Sequence, residues 1–239
     1  MERLGILLSG GGTTAQAIIE ACQRGEVPME VGVVIASTKR AGGIEKARAL
    51  GIPEHDIVVL PPGKYRNVEG IVDEDLYGDV LLKNLADRGI SFVTQNGWMV
   101  HTPEKVIRAY PGRMTNQHPG PVPEFGGKRM HGMRVHEARR LFIQEVGGRD
   151  SWTEAVAQWV HPFYDEGAVV RSIQVDVFPD DTAETIHKRV LPREHENQIE
   201  MLKDYVAGRL VEVRRKPLVY PGEEALLARV KEEAIAAYP

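Results

Sequence analysis

The sequence predicts an α/β fold: an open, mostly parallel twisted sheet with helices on both faces. Three observations predict it. Apolar runs rich in valine and isoleucine alternate with helix-length amphipathic segments over residues 4–118, which is typical of parallel strands covered on both faces. The first run leads directly into three glycines, as a strand does before a tight turn into a helix. In the second half, two strand-like runs with a short connection predict antiparallel strands near the C-terminal part.

The parallel part follows from local patterns. Apolar runs predict a strand that leads into Asn116 and four earlier strands, at residues 4–9, 30–37, 55–60 and 90–95. Amphipathic spacing predicts helices at residues 13–25 and 43–51 and within residues 70–88. In such a sheet, ligands collect at the carboxyl ends of the strands.

The second half has a different pattern. GGKRMHGMR (126–134) is rich in glycine and basic residues, which predicts a loop, and a helix follows at residues 135–146. Strands are predicted at 154–160 and 168–178, and HPFYDEG (161–167) joins them as a hairpin-type pair.

The remaining residues are mostly helical by pattern. Asp181 is the predicted N-cap of a long helical segment, and Pro192 inside it predicts a kink or a restart. A final amphipathic helix follows. We predict one domain at 1–213, with halves of about 1–100 and 101–213, and a helical tail at 214–239.

The composition excludes several classes of function. The chain has 239 residues and a formal net charge of −4, so its charge does not favour binding to nucleic acid or to an anionic membrane. The first apolar run is too short for a signal sequence or a membrane span. A single cysteine, Cys22, fits a reducing compartment, and we interpret it as a buried structural thiol. We expect a cytoplasmic protein that acts on small molecules, as a monomer or a homodimer.

The stretch SGGGTTA (9–15) is a candidate anion site. A strand that runs into glycines and then a helix presents bare backbone N–H groups at a helix N-terminus. Gly11 and Gly12 would present backbone groups to a phosphate, and Thr13 and Thr14 would add hydroxyl donors.

The same stretch fits the G-x-G-x-x-A pattern of dinucleotide-binding proteins. That interpretation requires an acidic residue near the end of the second strand, to hold a ribose. The strand ends instead with Lys39 and Arg40, which disfavours NAD and leaves NADP open.

MTNQHPGPVP (114–123) is a candidate catalytic stretch. Asn116 and His118 are two residues apart, so in a strand they point to the same face, and we expect them past the strand's end. An amide donates to a developing oxyanion, and a neutral imidazole moves protons near pH 7. Three prolines would hold this backbone still, although a structural histidine is the commoner interpretation of such a pair taken alone.

Asp165 is a third candidate, in the connection between the late strands. A carboxylate that orients and charges a histidine comes from elsewhere in the sequence, as this one does, although turn aspartates are common. The other histidines form no spacing typical of a metal site, so we expect no metal.

These three features occur in this order in one family, and the chain resembles the folate-dependent formyltransferases over roughly residues 3–213. SGGGTTAQAII resembles the family's opening strand, glycine loop and helix. NQHP and the later DEG resemble its N-x-H-P and D-x-G core, and Glu194 with His195 resembles a pair in its late helix. The resemblance implies a Rossmann-like formyltransferase fold.

The resemblance also implies the reaction. A formyl group would pass from 10-formyltetrahydrofolate, as co-substrate, to the amine of glycinamide ribonucleotide in purine biosynthesis, without a metal. Asn116 would stabilise the oxyanion, His118 would carry protons, and Asp165 would orient and tune His118.

Binding roles follow from the same resemblance. Gly11, Gly12, Thr13 and Thr14 would hold the ribonucleotide's phosphate, and Glu194 would contact the rest of that substrate. The folate would lie against Met99, Val100, His161, Tyr164 and Asp165.

The chain departs from the family pattern at several positions. Thr14 stands where the family usually has asparagine, Val100 where it has arginine, and Gly120 where serine is common. Gln158 replaces a histidine near the site, and residues 126–134 resemble an insertion. These departures leave the transferase core intact and bear on the acceptor.

Alternative functions remain at this point. A sugar-nucleotide N-formyltransferase or a formyltetrahydrofolate hydrolase would use the same three side chains. A methionyl-tRNA formyltransferase is disfavoured, because residues 214–239 are too few for an added RNA-binding domain. From another class, an NADP-binding oxidoreductase or a nucleotide sensor would use the glycine loop without needing Asn116, His118 and Asp165.

Overall fold

The computed structural model describes all 239 residues, Met1–Pro239, as alternating strands and helices. The seven strands are β1 (Glu2–Leu8), β2 (Met29–Ala36), β3 (Ile57–Val59), β4 (Phe92–Gln95), β5 (Met114–His118), β6 (Trp152–Trp159) and β7 (Val169–Asp176). The seven α-helices are α1 (Thr13–Gln23), α2 (Gly43–Ala49), α3 (Glu74–Ala86), α4 (Glu104–Ala109), α5 (Met133–Glu145), α6 (Ala183–Val206) and α7 (Glu224–Ala237).

All seven strands belong to one sheet, in the order β3-β2-β1-β4-β5-β6-β7. β1 pairs in parallel with β2 and with β4, β2 with β3, and β4 with β5. β6 and β7 are antiparallel, with Trp152 opposite Asp176. The predicted fold class, an open and mostly parallel sheet with antiparallel strands near the C-terminal part, is confirmed.

Two compact units make up the chain. The first contains Met1–Gln117 and Gln198–Arg209, and the second contains His118–Asn197 and Leu210–Pro239. The boundaries therefore fall within β5 and within α6. The division at residue 213 stays a prediction.

The core of the first unit lies in its sheet. Five consecutive residues of β1, Leu4–Leu8, are buried, and so is every residue of β4. Runs of this kind are what strands covered on both faces require. Cys22 lies in α1, where burial raises the pKa of its thiol to about 11, as expected of a structural cysteine.

The third strand is shorter than predicted. Residues 54–56 form a 3₁₀ turn in which the Asp56 N–H donates to the carbonyl of Pro53 at 2.8 Å, and only Ile57–Val59 pair with β2. The turn uses the backbone of His55 and Asp56, so these residues cannot join the strand.

The second unit has a separate apolar cluster that includes the chain's last helix. Phe125, Phe142, Val230 and Ala234 are all buried there, so α7 packs its apolar face against α5. The Phe125 and Phe142 rings meet edge to face, with centroids 5.6 Å apart. Within the predicted loop, Met130 is buried in the same cluster. None of the seven helices is both long and apolar enough to cross a membrane.

The start of α6 corrects the sequence prediction. Thr182, not Asp181, caps the helix: the Thr185 N–H donates to the Thr182 hydroxyl at 3.3 Å, and the Thr182 N–H donates to the Thr185 hydroxyl at 2.9 Å. Asp181 instead accepts from the Phe178 N–H and pairs with Arg189, both at 2.7 Å. Pro192 does not restart the helix, because α6 runs continuously from Ala183 to Val206.

Candidate functional site

The glycine loop lies where the strand order of the sheet reverses. The chain moves from β1 outward to β2 and β3, and then returns to place β4 on the other side of β1. In open α/β sheets, ligands bind at this switch point, at the carboxyl ends of the strands. The loop at residues 9–12 leaves the carboxyl end of β1 and enters α1.

Ser9 joins three of the strand ends. Its N–H donates to the Gly97 carbonyl at 2.9 Å, and its hydroxyl accepts from the Met99 N–H at 2.9 Å and from the Ser37 hydroxyl at 2.6 Å. The loops after β1, β2 and β4 are therefore tied together. Met99, predicted to contact the folate, is more than half exposed in this group, and Val100 follows it.

Gly12 is required by geometry, whereas Gly11 is not. Gly12 has φ +68°, and a Cβ there would lie 2.4 Å from the Cα of Gly43. A Cβ on Gly10 or Gly11 would meet nothing within 4 Å. The glycine loop thus packs against α2 at one residue and leaves open space beside the two before it.

No side chain of the helix occupies the backbone N–H groups at the N-terminus of α1. No side chain caps it, and its first turn contains no acidic residue. Of the two predicted hydroxyl donors, Thr13 is exposed and Thr14 is only 5% exposed. The helix terminus therefore presents backbone N–H groups and the Thr13 hydroxyl, a donor set suited to an anion.

β5 contains both residues of the candidate catalytic pair. Asn116 pairs with Gln95 of β4, and His118 is the last residue of β5. The prediction that both lie past the strand's end is wrong, because the strand continues through His118. As alternate residues of one strand, they project from the same side of its backbone.

Two contacts fix the His118 ring. Nδ1 lies 3.0 Å from the carbonyl oxygen of Gly120, which only accepts, so Nδ1 carries the hydrogen in the neutral ring. Nε2 is buried, has no hydrogen-bond partner, and lies 3.7 Å from Oδ2 of Asp165. The neutral ring therefore has its basic nitrogen facing a carboxylate.

Asp165 is held in a conformation that few residues adopt. It has φ +58°, and its side chain is 10% exposed. Oδ2 accepts from the Gly127 N–H at 2.9 Å, and Oδ1 accepts from Nε2 of Gln158 at 2.7 Å. Both oxygens are thus held in place by donors from two different segments.

Three glycines of the second unit, Gly120, Gly126 and Gly167, have no room for a side chain. A Cβ on Gly126 would lie 2.4 Å from Cβ of Asp165, and a Cβ on Gly167 would lie 1.8 Å from the carbonyl oxygen of Trp159. The D-x-G pattern therefore combines an aspartate whose backbone is in the left-handed region with a glycine at a position that has no room for a Cβ. Glycine is required at position 120 for a similar reason, because a Cβ there would lie 2.4 Å from Cγ1 of Val135.

Two histidines that interact electrostatically with His118, His131 and His136, add no positive charge. Burial, with a smaller contribution from His187 and then from His118, lowers the pKa of His136 to about 3. Burial also lowers the pKa of His131, with Arg134 and His118 as smaller causes. Neither ring therefore supplies a positive charge near pH 7, and the Asp165 carboxyl group is the ionisable group 3.7 Å from His118 Nε2. No group of three or more His, Cys, Asp or Glu side chains is arranged to hold a metal ion.

The remaining predicted residues lie in two places. His161 and Tyr164 are exposed on the β6–β7 connection that contains Asp165, and Phe163 beside them is 71% exposed. Glu194 lies on α6 and is 4% exposed.

Sequence reasoning missed several residues that shape the site. In the sequence, Gln158 was noted only as a departure from the family pattern, yet in the structure its amide donates to Asp165 and orients it. Gly126 and Gly127 counted only as part of an insertion, although a Gly-Gly pair is a visible signal of close backbone approach. Nothing in the sequence, apart from the position of Ser9 before the glycines, indicated that this residue would form hydrogen bonds with the loops after β2 and β4.

Known proteins share this arrangement of elements. A family model described as "Formyl transferase" matches residues 2–202. The chloroplastic phosphoribosylglycinamide formyltransferase of Arabidopsis thaliana is 34% identical over 215 residues, which make up 90% of this chain and 67% of that protein. The phosphoribosylglycinamide formyltransferase of Haemophilus influenzae is 28% identical over 210 residues, 88% of this chain and 90% of that protein.

A solved structure agrees with these matches. The crystal structure of glycinamide ribonucleotide transformylase 1 from Symbiobacterium toebii superposes with a TM-score of 0.73 at 29% identity, and covers 90% of this chain and 92% of that chain. The family model covers far more than half of the chain, and the relatives that match it are enzymes acting on small molecules. The chain belongs to the formyl transferase family.

Proposed function

We propose that this protein transfers a formyl group from 10-formyltetrahydrofolate to the amine of glycinamide ribonucleotide. The observation that carries the proposal is the buried His118 imidazole, whose Nε2 has no hydrogen-bond partner and lies 3.7 Å from Oδ2 of Asp165. The acceptor is the one for which the relatives are named, and the family gives the class of reaction.

The chemistry divides among three side chains. The amine nitrogen attacks the formyl carbon, and the amide of Asn116 donates to the oxyanion that develops on the formyl oxygen. His118 Nε2 accepts the proton that the amine loses, and the resulting imidazolium is stabilised by Asp165. The C–N bond to the folate then breaks, and His118 returns the proton to the leaving nitrogen. Formylated acceptor and tetrahydrofolate are the products.

The binding roles are part of the same proposal. Backbone N–H groups of Gly11 and Gly12, with the hydroxyls of Thr13 and Thr14, hold the phosphate, and Glu194 contacts the rest of the ribonucleotide. The uncapped start of α1 and the open space beside Gly11 support the phosphate role. Met99, Val100, His161, Tyr164 and Asp165 contact the folate. The reaction needs no metal, and we place the protein in the cytoplasm as a monomer or homodimer.

The test is formyl transfer by purified protein with 10-formyltetrahydrofolate, with and without glycinamide ribonucleotide. We expect turnover that depends on the acceptor. Asn116→Ala should lower kcat by about 10²–10³, the usual effect of removing one oxyanion donor. His118→Ala and Asp165→Asn should also lose most turnover, with thermal unfolding close to that of the parent. Deformylation without acceptor would identify a hydrolase, and full activity of all three variants would rule out this mechanism.

Two glycine variants test the phosphate role. Gly11→Ala should leave stability within about 0.5 kcal/mol, because its Cβ meets no atom within 4 Å, but should raise KM for the ribonucleotide. Gly12→Ala should destabilise the fold by at least ~2 kcal/mol, because of its positive φ and its contact with Gly43. Urea unfolding and KM measurements separate the two effects. An unchanged KM in Gly11→Ala would contradict the phosphate role.

A further inference from the structure

The last helix of the chain contacts the loop at residues 124–127, which donates a hydrogen bond to Asp165. Lys231 of α7 donates from Nζ to the Gly126 carbonyl at 2.6 Å and to the Glu124 carbonyl at 3.1 Å. The next N–H along the chain, that of Gly127, donates to Oδ2 of Asp165 at 2.9 Å. Lys231 therefore lies one peptide unit away from the carboxylate.

That peptide unit is shared by both hydrogen bonds. The Gly126 carbonyl and the Gly127 N–H belong to one planar amide, so an ammonium group on its oxygen and a carboxylate on its N–H act along a single dipole. Hydrogen bonds in such a chain polarise one another and strengthen. Lys231 thereby orients the amide and strengthens its N–H as a donor to Asp165.

Backbone hydrogen bonds hold the residues on both sides of this amide, since the Gly126 N–H donates to the Pro123 carbonyl at 3.1 Å and the Met130 N–H donates to the Gly127 carbonyl at 3.0 Å. Gly127 has φ +101°, a conformation that glycine adopts most readily, and Lys231 is the side chain that binds the oxygen of the amide between the two glycines. Arg215, also from the C-terminal segment, pairs with Glu124 and donates to the Val122 carbonyl. Arg215 therefore holds the start of the loop, and Lys231 holds the glycine peptide itself.

The surroundings of Lys231 are consistent with this role. Burial lowers the pKa of Lys231, while the charges of Asp165, Glu166 and Glu124 oppose that shift. Burial is the larger effect, and the three carboxylates partly offset it.

We propose that Lys231 is a positioning residue for formyl transfer, which holds Asp165 against His118 through the Gly126–Gly127 peptide. The proposal rests on the proposed function, since it acts through Asp165. Lys231 lies beyond residue 202, where the match to the family model ends. Part of the catalytic support in this chain therefore comes from a segment outside the region that defines the family.

The test is a double-mutant cycle in the full-length protein. Lys231→Met keeps most of the aliphatic stem and removes the donor. We expect kcat to fall roughly 10-fold while both KM values change less than about twofold, because a misplaced catalytic group affects the reaction more than substrate binding. In an Asp165→Asn background, measured in single turnover, the same change should cost less than about twofold.

Arg229→Met is the matched control. Arg229 lies on the same helix, is 50% exposed, and pairs only with surface carboxylates of Glu145 and Glu233 at 3.0 Å. Its loss should leave kcat within about twofold in both backgrounds. The control separates the contact with the glycine peptide from the removal of any cation on α7.

A second readout does not depend on turnover. In glycine-labelled protein, the Gly127 amide resonance should move, and its hydrogen exchange should accelerate, in Lys231→Met but not in Arg229→Met. If Lys231→Met does not fold, Lys231→Leu, which also removes the donor, takes its place in both measurements.

The outcomes are distinguishable. An equal loss of kcat from Lys231→Met in both backgrounds, or no loss in either, overturns the positioning role. If Asp165→Asn alone keeps normal turnover, the proposed catalytic role of Asp165 fails first. If Asp165→Asn is inactive and Lys231→Met is normal, only the inference about Lys231 is wrong.

Discussion

Asp165 depends on Gln158 as well as on a backbone donor. The Gln158 amide donates to Oδ1 at 2.7 Å, while its own Oε1 is buried without a hydrogen-bond partner. A side chain with only one of its polar ends satisfied contributes little to stability, because the buried acceptor offsets the gain from the donor. Gln158 is therefore better explained by its effect on Asp165 than by packing.

Gln158→Leu removes that donor without leaving a buried polar group. We expect kcat to fall roughly 10-fold, about 1.4 kcal/mol in the barrier, with little change in unfolding free energy. Gln158→Glu places a second carboxylate against Asp165 and should lose more, since like charges disfavour each other's ionised form. Steady-state kinetics with urea unfolding check both variants. A Leu variant with normal kcat would contradict the role given to Gln158.

At the scale of elements, the turn from β7 into α6 depends on charge. Asp181 is 8% exposed, and the hydrogen bond from Arg189, with smaller contributions from Phe178 and Thr185, lowers its pKa to about 2. A lowered folded-state pKa means that folding favours the carboxylate. Its contribution is therefore present above the unfolded pKa, near 4, and is lost as the pH falls towards about 2.

Asp181→Asn tests this pH dependence. At pH 7 the variant should be less stable by roughly 2 kcal/mol, and the difference should disappear between about pH 4 and pH 2. Asp87→Asn, which removes an exposed ion pair with Lys83, is the control and should cost well under 1 kcal/mol throughout. Urea unfolding at pH 7, 4 and 2.5 gives both series. A constant difference across this range would mean that Asp181 acts through shape alone.

At the scale of the whole molecule, the second unit is completed by the end of the chain. Leu218, Val230 and Ala234 are buried against α5 and Phe125, and Arg215 forms an ion pair with Glu124. Burying one large apolar side chain stabilises a fold by about 1.5–3 kcal/mol, and whole domains are stable by only about 5–15 kcal/mol. The C-terminal segment is thus a large part of this unit's core.

A chain that stops at Arg209 should therefore lose the cooperative fold of the second unit. Hydrogen exchange of α5 amides should become fast, while Glu232→Ala in the full-length chain, an exposed change on α7, should leave exchange unchanged. Adding a peptide of residues 210–239 should restore protection. Protected α5 amides in the truncated chain would show that the unit folds without its last helix.

The α/β class, the glycine loop and the residue types of the candidate site can be predicted from short stretches of the chain. These features are local: apolar periodicity, glycines before a helix, and the spacing of Asn116 and His118 are written in short stretches of chain. The predicted ends of helices were less accurate where several side chains compete for the same backbone groups. Thr182 rather than Asp181 caps α6 because Asp181 is engaged with Arg189 and the Phe178 N–H.

The orientation of the His118 ring and the contacts that hold Asp165 could not be predicted before the folded structure was known. The sequence suggested that Asp165 orients the ring, whereas the Gly120 carbonyl fixes Nδ1 and Asp165 faces Nε2. Gln158, Gly127 and Lys231 reach Asp165 or its loop from separate elements of the second unit. Such contacts have no sequence period, because packing between distant segments creates them. For that reason local patterns located the candidate chemistry, and the fold alone supplied its support.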